Sequence, residues 1–558
     1  MSAVGTVGGS QRADFDPVTR VAGALAFQTS VDLDQGRVLD ASAVATLFRG
    51  YEVILEGRDP RDAIFISSRA CGVCGGVHAT ASALACEMAF GIQPPPMGIA
   101  ARNLLVATEY LYDRPTHLFT RVGPDFSEPV VRRTSPELWT RAEGTAARGA
   151  DVHGFARIAD VMAELTRPSG WLYREALHMA RVAREANVLI GGKYPHPQTI
   201  TPGGVSSTVD TQAFNLALLR AVKFFDYSRR VIAVWDDLTS FFYEADARYA
   251  AVGRGPMNFI DAGLWDNPLV FEAAFGGSTG EHRFSKPAAI VDGVVRATDL
   301  RQIDAGVEEF VGHSFYENWS GGSDLLDAQG EPLSQRHPVN KQTLPQAGSA
   351  DLDGRYSWST AARWRGHAME TGAQARMWAT ALAGPGSHGS LVESTGLGVR
   401  MSLPSGQMPA GVVEWRIPGR WNAFERNRAR AYALAQAAVA CYESVVTGLE
   451  IARRGGPNAR IFNPYKIPKG GVIGSGQWGG ARGYVSHHLQ IDGRVIENYQ
   501  IVGPSTFSGS PRDDAGRPGP CEAAVMSTPL VSADPDQEGI DVLRAIRSFD
   551  LCMYCASH

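Results

Sequence analysis

Two pairs of cysteines stand at opposite ends of the sequence and could bind a metal together. Cys71 and Cys74 form one Cys-x-x-Cys pair, and Cys552 and Cys555 form the other, just before the final residue, His558. Two cysteines at this spacing can point their sulfurs at one ion when they lie on a turn or at a helix start, and glycines around the first pair let the backbone come close. Four soft thiolates suit zinc, nickel or iron clusters.

The separation of the two pairs argues against the simplest interpretation. A structural zinc site usually takes both pairs from one small module, with roughly a dozen or two residues between them, whereas almost the whole chain separates Cys74 from Cys552. Structural zinc is therefore the minor alternative, and a thioredoxin-like redox motif is weaker still, because neither pair lies in a clear strand–helix unit. The remaining Cys86, Cys441 and Cys521 are scattered, and we predict that they are buried small hydrophobic residues.

The bulk composition is that of a globular protein. The chain has 558 residues, of which 44% are hydrophobic and 20% charged. A net charge of -5 gives no basic field, which argues against nucleic acid as a partner. No apolar run of about 18 residues occurs, so we expect no transmembrane segment and no cleaved signal on this chain. We expect a cytoplasmic protein or one attached to a membrane through a partner; export on a partner's signal would leave no trace here.

The elements that must position the cysteines are predicted to be long helices with β-hairpins at the periphery. Turn sequences between apolar stretches predict hairpins at Asp34-Gln35-Gly36, Asp292-Gly293 and Asp492-Gly493. Apolar residues at helical spacing predict helices over 99–119, 171–189, 211–244 and 422–454. Because such long helices pack side by side, the sequence predicts a mainly α fold with a long-helix bundle core and an α+β periphery.

We treat residues 1–558 as one structural unit, because no internal repeat or convincing linker interrupts the chain. Residues 1–15 are Gly/Ser-rich and are expected to be a loose tail. Residues 276–345 are rich in Gly, Ser, Asp and Pro with little helical period, and are expected to form an excursion on the helical core.

Over nearly its whole length the sequence resembles the large subunits of nickel–iron hydrogenases. Seven short motifs occur in the order and with the gaps of that family, although any one of them alone would be weak. They are Asp16-Pro-Val-Thr-Arg20, Phe48-Arg-Gly-Tyr-Glu52, Gly57-Arg-Asp-Pro-Arg-Asp-Ala63 with the first cysteine pair, Tyr356-Ser-Trp358 through Arg363, Glu370-Thr-Gly372 to Arg376, Ala481-Arg482-Gly483, and Asn498-Tyr-Gln-Ile-Val-Gly-Pro504-Ser505-Thr506 before the last pair. These subunits are made with an extension that is removed after the last His, so an end at His558 resembles the mature form.

The resemblance implies a nickel–iron centre held by the four paired cysteines. Cys71 and Cys552 would be terminal nickel ligands, and Cys74 and Cys555 would bridge nickel to iron. The iron would also carry CO and two cyanides. Arg482 and Ser505 match the positions that hydrogen-bond cyanide, with Pro504 packing beside them.

A second, magnesium site is implied near the end of the chain. Glu52, the backbone carbonyl of Ile501 and His558 match its ligands. Two protein oxygens, an imidazole and waters make a plausible octahedral Mg2+ site, although His is an unusual ligand for so hard an ion.

The implied reaction is heterolytic cleavage of H2. Arg482 matches the guanidinium beside the open metal position, and Asp113 and Asp550 match the carboxylates that hold it there, which a bidentate pair would do well. His78 matches an imidazole near a bridging sulfur. The proton acceptor would be the thiolate of Cys552, with Arg482 as the other candidate.

Taken singly, these residues have ordinary explanations. Glu52 in an amphipathic segment is usually part of a solvated face, and Arg482 after two glycines could cap a turn. Asp113 could be an ordinary helix charge, and His78 a core histidine with satisfied hydrogen bonds. His117, one turn beyond Asp113, is expected to be structural. Their convergence on one site is what the resemblance adds.

One departure from the family pattern concerns proton transfer. The first motif usually continues with a Glu that carries protons away from the terminal thiolate, and this sequence has Ala22 there. We hypothesise either an ordered water chain or another carboxylate that reaches the same sulfur. Leu551 and Ala362 replace two usual prolines. These departures favour the oxygen-tolerant, actinobacterial-type uptake subgroup.

The resemblance also implies a partner for electron transfer. Three scattered cysteines are too few for one all-cysteine iron–sulfur cluster, so a small subunit with such clusters is required, in a heterodimer or a dimer of heterodimers. The alternatives are a regulatory protein that senses H2 with slow turnover, and a non-enzymatic relative like the hydrogenase-derived quinone-module subunit of respiratory complex I. The latter relatives lack the four cysteines that this chain has.

Overall fold

Helices dominate the fold, and the strands form six small antiparallel sheets within the described residues. The computed structural model describes residues 2–7, 10–271, 280–317, 325, 330–346, 354–384, 390–532 and 539–557. His558 and parts of the expected tail (1–15) and excursion (276–345) lie outside these ranges.

The strands are β1 Ser2–Val7, β2 Ser10–Phe15, β3 Leu25–Asp32, β4 Arg37–Ala45, β5 Ile200–Thr201, β6 Gly204–Val205, β7 Phe259–Asp261, β8 Ala288–Val291, β9 Val294–Ala297, β10 Val307–Phe310, β11 Ala361–Trp364, β12 Val392–Ser394, β13 Gly398–Leu403, β14 Gly411–Arg416, β15 Val472–Gly480, β16 Gly483–Asp492 and β17 Val495–Val502. The helices are α1 Tyr51–Leu55, α2 Asp62–Ser68, α3 Gly75–Phe90, α4 Pro96–Pro115, α5 Glu128–Thr134, α6 Pro136–Gly144, α7 Ala150–His153, α8 Ile158–Glu164, α9 Trp171–Gly191, α10 Thr211–Ala221, α11 Lys223–Ala245, α12 Leu300–Ala305, α13 Ala373–Ala383, α14 Ala423–Arg454, α15 Pro504–Ser508, α16 Pro520–Met526 and α17 Ile540–Ser548. All three predicted hairpins form, as β3–β4, β8–β9 and β16–β17.

The centre of the molecule is a bundle in which α4, α10, α11 and α13 pack against the long helix α14. The Asn422 side chain caps the start of α14 by accepting a hydrogen bond from the Glu425 amide at 3.0 Å. The helix ends before Gly455, whose φ of 65° suits glycine. The predicted mainly α fold with a helical core is therefore confirmed.

Two helices differ from the sequence prediction in ways that have a local cause. The predicted helix over 211–244 is divided into α10 and α11 at Val222, with no Gly or Pro to signal the break. The helix predicted to continue to 119 changes at Pro115 into a wider π-helical segment, Thr116–Val122. Because proline has no amide hydrogen, the regular hydrogen-bond ladder cannot continue there, and π-helical turns often accompany functional sites.

The sheet β15–β16–β17 packs against α3, the helix that follows the first cysteine pair. Gly474 and Gly476 make this contact possible, because a Cβ atom there would lie 2.0 Å from the Ala85 carbonyl oxygen and 2.1 Å from that of Ala81. β15 and β16 are joined by a two-residue turn, Ala481-Arg482, which the side chain of Arg114 secures by donating to the Ala481 carbonyl. The sheet therefore holds Arg482 at a fixed place relative to Cys74.

The described N-terminal residues are in strands. β1 and β2 join β3 and β4 in a four-stranded antiparallel sheet, and Ala13 and Phe15 of β2 are buried. The loose tail expected over residues 1–15 stays a prediction.

The described part of the 276–345 segment packs against residues from other parts of the chain. Leu300 of α12, Val307 of β10 and Ala289 of β8 pack with Trp364 and Tyr484 in a second apolar cluster. Tyr484 also belongs to β16, so this segment rests on the sheet that carries Arg482. Treating the whole chain as one unit stays a prediction. Among the described residues, no helix is long and apolar enough to cross a membrane.

Candidate metal centre

The four paired cysteines meet at one buried point. The sulfur of Cys71 lies 2.6 Å from that of Cys74 and 3.5 Å from that of Cys552. The sulfur of Cys555 lies 3.3 Å from those of Cys74 and Cys552. None of the four side chains is exposed beyond 1%. The chain ends therefore meet here, as the metal-binding interpretation of the two pairs requires.

These separations fit a shared metal. None is a disulfide, since bonded sulfurs lie about 2.05 Å apart. Four thiolates at about 2.3 Å from one ion are roughly 3.3 to 3.8 Å apart, depending on the geometry. The contacts of Cys555 and the Cys71–Cys552 contact fall in that range, and only Cys71 and Cys74 are closer.

The sulfurs are in different electrostatic environments. Hydrogen bonds from Cys555, Cys71 and Cys74 hold the pKa of Cys552 well below its ordinary value. Burial raises the pKa of Cys74 and Cys555 well above theirs. A bound metal would stabilise the thiolate form of all four.

Short backbone contacts place both cysteine pairs. Cys74 precedes the first turn of α3, and its amide donates to the Cys71 sulfur at 3.0 Å. On the other side, the Met553 amide donates to the Ala22 carbonyl at 2.8 Å, which ties the second pair to the N-terminal segment. Arg49 connects both pairs, because it donates to the Ala70 carbonyl at 2.6 Å and lies over the Tyr554 ring at 5.1 Å from its centre.

A close approach to Gly503 also fixes the second pair, and it makes the first testable prediction. A Cβ atom at Gly503 would lie 1.9 Å from the Cys555 carbonyl oxygen. Since that contact is to backbone, Gly503→Ala should displace Cys555, lower the melting temperature and lower the bound metal several-fold. Elemental analysis and thermal unfolding would measure both. Gly419→Ala is the control, because a Cβ there meets nothing within 4 Å. Unchanged metal content in Gly503→Ala would contradict this account.

Arg482 is held beside the sulfurs by two carboxylates, as predicted. Its Nη2 lies 2.9 Å from Asp113 Oδ1 and 3.1 Å from Asp550 Oδ1. Burial alone would lower the pKa of Arg482, but the charges of Asp113 and Asp550 hold it well above its usual value. Its other terminal nitrogen, Nη1, is buried without a hydrogen-bond partner among the described residues. One N–H group of a charged, fixed arginine therefore remains available to a ligand.

The two carboxylates are in different electrostatic environments. Burial raises the pKa of Asp113, which Arg482 only partly opposes. Burial acts the same way on Asp550, but Arg482 and His117 hold its pKa well below the usual range. Asp550 therefore carries the negative charge that balances the guanidinium.

Sequence analysis missed part of the surroundings of Asp550. His117 Nδ1 and Arg121 Nη1 each lie 2.9 Å from Asp550 Oδ1. Burial lowers the pKa of His117 to about 3, so it is a neutral partner. Both residues lie on the π-helical segment Thr116–Val122. The sequence spacing of Asp113 and His117 does not reveal that this segment is π-helical. The expectation that His117 is structural stays a prediction.

The other predicted residues of the centre are also near it. His78 Nε2 lies 3.5 Å from the Cys555 sulfur. Ser505, in the first turn of α15, accepts a hydrogen bond from the Cys552 amide at 2.7 Å, and Pro504 is buried beside it. Ala22 lies beside Cys552 through a contact between their backbones. The methyl side chain of Ala22 has no proton to exchange.

A second buried charged cluster surrounds Glu52. The Ile501 amide donates to Glu52 Oε1 at 2.9 Å. Lys341 Nζ lies 3.3 Å from Glu52 Oε1 and 3.2 Å from Glu309 Oε1, and the three charged side chains are at most 3% exposed. Sequence analysis did not find Lys341 or Glu309, which have no motif around them. His558 lies outside the described residues.

The likeness to known proteins covers almost the whole chain. The model of a family described as nickel-dependent hydrogenase matches residues 49–138 and 169–558. The uptake hydrogenase large subunit of Rhodobacter capsulatus is 28% identical over 97% of this chain and 94% of its own length.

Two solved structures of hydrogenases are also similar to this chain over almost its whole length. An actinobacterial-type NiFe-hydrogenase from Ralstonia eutropha H16 is 38% identical, with a TM-score of 0.94 over 98% of this chain and 100% of the other. The reduced Ni-Fe-Se hydrogenase of Desulfomicrobium baculatum is 26% identical, with a TM-score of 0.74 over 98% and 100%. With its four cysteines gathered at one point, this chain belongs to the nickel-dependent hydrogenase family as a large subunit.

Proposed function

We propose that this chain is the catalytic large subunit of an uptake nickel–iron hydrogenase, an oxidoreductase that splits H2 into protons and electrons. The observation that carries the proposal is the buried group of four cysteine sulfurs next to a charged arginine with one unpaired N–H group. The names of relatives such as the uptake subunit of Rhodobacter capsulatus support H2 uptake over a regulatory role. The four cysteines distinguish the chain from non-enzymatic relatives that lack them.

The cysteines divide by position into two kinds of ligand. Cys71 and Cys552 would be terminal ligands of nickel, and Cys74 and Cys555 would bridge it to iron. The Cys74–Cys555 contact of 3.3 Å suits two sulfurs that share a pair of metals. When bound, the metals supply the position at which H2 is split heterolytically.

The protein's own groups would receive and stabilise charge. The thiolate of Cys552 is the proposed proton acceptor, with Arg482 as the other candidate. Arg482 also adds fixed positive charge in a buried site, where such charge stabilises a transition state more than it would in water. The two carboxylates keep its guanidinium in place without a change of conformation during the reaction.

CO and two cyanide ligands on iron belong to the same proposal. Diatomic ligands need a dry surrounding with a few hydrogen-bond donors. Ser505 accepts from the Cys552 amide, so its hydroxyl hydrogen is left to donate, and Arg482 Nη1 supplies a second donor. Pro504 adds an apolar wall without an amide hydrogen.

Mg2+ near Glu52 is also proposed, together with the Ile501 carbonyl and His558. The donor set supports a cation there, because the carboxylate of Glu52 is buried and carboxylate and carbonyl oxygens are the ligands that Mg2+ prefers. Lys341 Nζ lies within 3.3 Å of both Glu52 and Glu309. Lys341 and Glu309 would then surround the ion rather than replace it.

Electrons would leave through a small subunit with iron–sulfur clusters. Large apolar side chains are exposed on the segments that flank the cysteine pairs, where a partner must approach to shorten the electron path: Leu47 49%, Val53 41%, Ile54 45%, Phe65 42% and Tyr554 37%. We propose this apolar face (Leu47, Val53, Ile54, Phe65 and Tyr554) as part of the small-subunit interface. A dimer of such heterodimers belongs to the same proposal.

Infrared spectroscopy of the purified large–small subunit complex tests the proposal most directly. We expect one CO band and two cyanide bands between the amide and C–H regions, where no amino acid gives that pattern. Nickel and iron should be found by elemental analysis, and H2-dependent dye reduction should be fast.

Each other outcome has a distinct meaning. Absence of the bands with zinc present would return the site to a structural role and overturn the proposal. The three bands with only slow turnover would instead favour the H2-sensing alternative.

A further inference from the structure

Four buried side chains form a continuous hydrogen-bonded chain that ends at a bridging sulfur. His78 Nε2 lies 3.5 Å from Cys555 Sγ, and His78 Nδ1 lies 3.0 Å from His487 Nε2. His487 Nδ1 lies 2.6 Å from the Tyr499 hydroxyl, which donates to Ser82 Oγ at 2.7 Å. The chain runs from the metal centre into the contact between α3 and the sheet β15–β16–β17.

The geometry leaves these groups little freedom. The side chains of His78, His487, Tyr499 and Ser82 are all fully buried. The rings of His78 and His487 are 5.2 Å apart, and those of His487 and Tyr499 meet edge to face at 5.6 Å. Neither ring can turn without losing a hydrogen bond in a place that water does not reach, which is costly.

The hydrogens along this chain can be arranged in two directions. A neutral histidine has one N–H and one bare nitrogen, so each ring passes the direction of donation to the next. If Tyr499 gives its hydrogen to Ser82, both rings turn their N–H groups away from the metal centre and His78 presents a bare nitrogen to the sulfur. If Tyr499 gives it to His487, Ser82 donates to Tyr499, and His78 Nε2–H donates to Cys555.

In this structure Tyr499 donates to Ser82, which is the first direction. A metal-bound thiolate accepts hydrogen bonds, so a bound metal would select the second direction. We propose that His487 and Tyr499 are positioning residues that set the tautomer and orientation of His78, so that its Nε2–H group donates to the bridging sulfur of Cys555. This inference rests on the proposed nickel–iron centre. Side chains that hydrogen-bond to a metal ligand, and those that orient them, typically set how much electron density the ligand donates to its metal.

Tyr499→Phe tests the inference, because it removes the donor to His487 and keeps the ring. A weaker hydrogen bond to Cys555 leaves more electron density on the sulfur and, through it, on iron. We therefore expect the CO and cyanide infrared bands of the large–small subunit complex to move together to lower wavenumber. Ser82→Ala, at the far end of the chain, should shift them the same way by less.

Tyr432→Phe is the matched control. It also removes a buried tyrosine hydroxyl, which donates to Asp236 of α11 at 2.8 Å. That hydroxyl is not part of the hydrogen-bonded chain that contains His78. Its bands should match those of the wild type even if its melting temperature falls. Wild-type band positions in both Tyr499→Phe and Ser82→Ala would overturn the inference. Absence of the bands in the unaltered complex would instead overturn the proposed function and this inference with it.

Discussion

Cys74→Ser is expected to abolish H2 oxidation and to remove most of the bound nickel and iron. Cys74 contacts two of the other sulfurs, at 2.6 Å and 3.3 Å, and is the proposed bridge between the metals. A serine hydroxyl is a harder and less acidic ligand than a thiol, so it suits neither metal. Elemental analysis and the CO and cyanide bands would measure the loss, with H2-dependent dye reduction as the activity readout.

Cys86→Ser is the matched control for this experiment. Cys86 is buried, and its sulfur lies 3.5 Å from the Pro60 carbonyl, so a serine hydroxyl there has an acceptor. We expect wild-type metal content and activity. Full nickel content in Cys74→Ser, or equal losses in both variants, would show that Cys74 is not a ligand.

Arg482→Lys is expected to lower turnover by about 100- to 1000-fold while the metals stay bound, the range seen when one preorganised donor is removed. A lysine keeps the positive charge but has one terminal nitrogen, which cannot lie against Asp113 and Asp550 and also occupy the position of Arg482 Nη1. Dye reduction under H2 would measure the turnover, and elemental analysis the metal content.

Arg102→Lys makes the same change in another buried ion pair, that of Arg102 with Glu87. This substitution should lower the melting temperature but leave the turnover of the folded enzyme unchanged. Similar activity of Arg482→Lys and the wild type would remove Arg482 from the reaction.

The parts of the site that sequence reveals are those with unusual spacing. The two Cys-x-x-Cys pairs are rare enough to predict a metal site without a structure, and the turn that carries Arg482 follows from the glycines around it. Lys341, Glu309 and Arg121 are common residue types far apart in sequence. Only the folded chain brings them to Glu52 and Asp550, because long-range packing rather than local pattern decides those contacts.

The same contrast holds for the fold. Hairpins at Asp292-Gly293 and Asp492-Gly493 could be predicted, since Asp-Gly favours a tight turn, although the second turn forms one residue later, at Gly493-Arg494. The break at Val222 could not, because helical periodicity continues through it.

The meeting of the two chain ends also has a consequence for biosynthesis. Cys71 and its partner Cys552 are 481 positions apart. At a ribosome speed of about 5 to 20 residues per second, the first pair emerges roughly 25 to 100 s before the second. A cofactor that needs all four thiolates therefore cannot be completed until the second pair has emerged. The first two thiols must pass that interval without oxidation or capture of a stray ion, which makes this pair a natural point of attachment for an assembly chaperone.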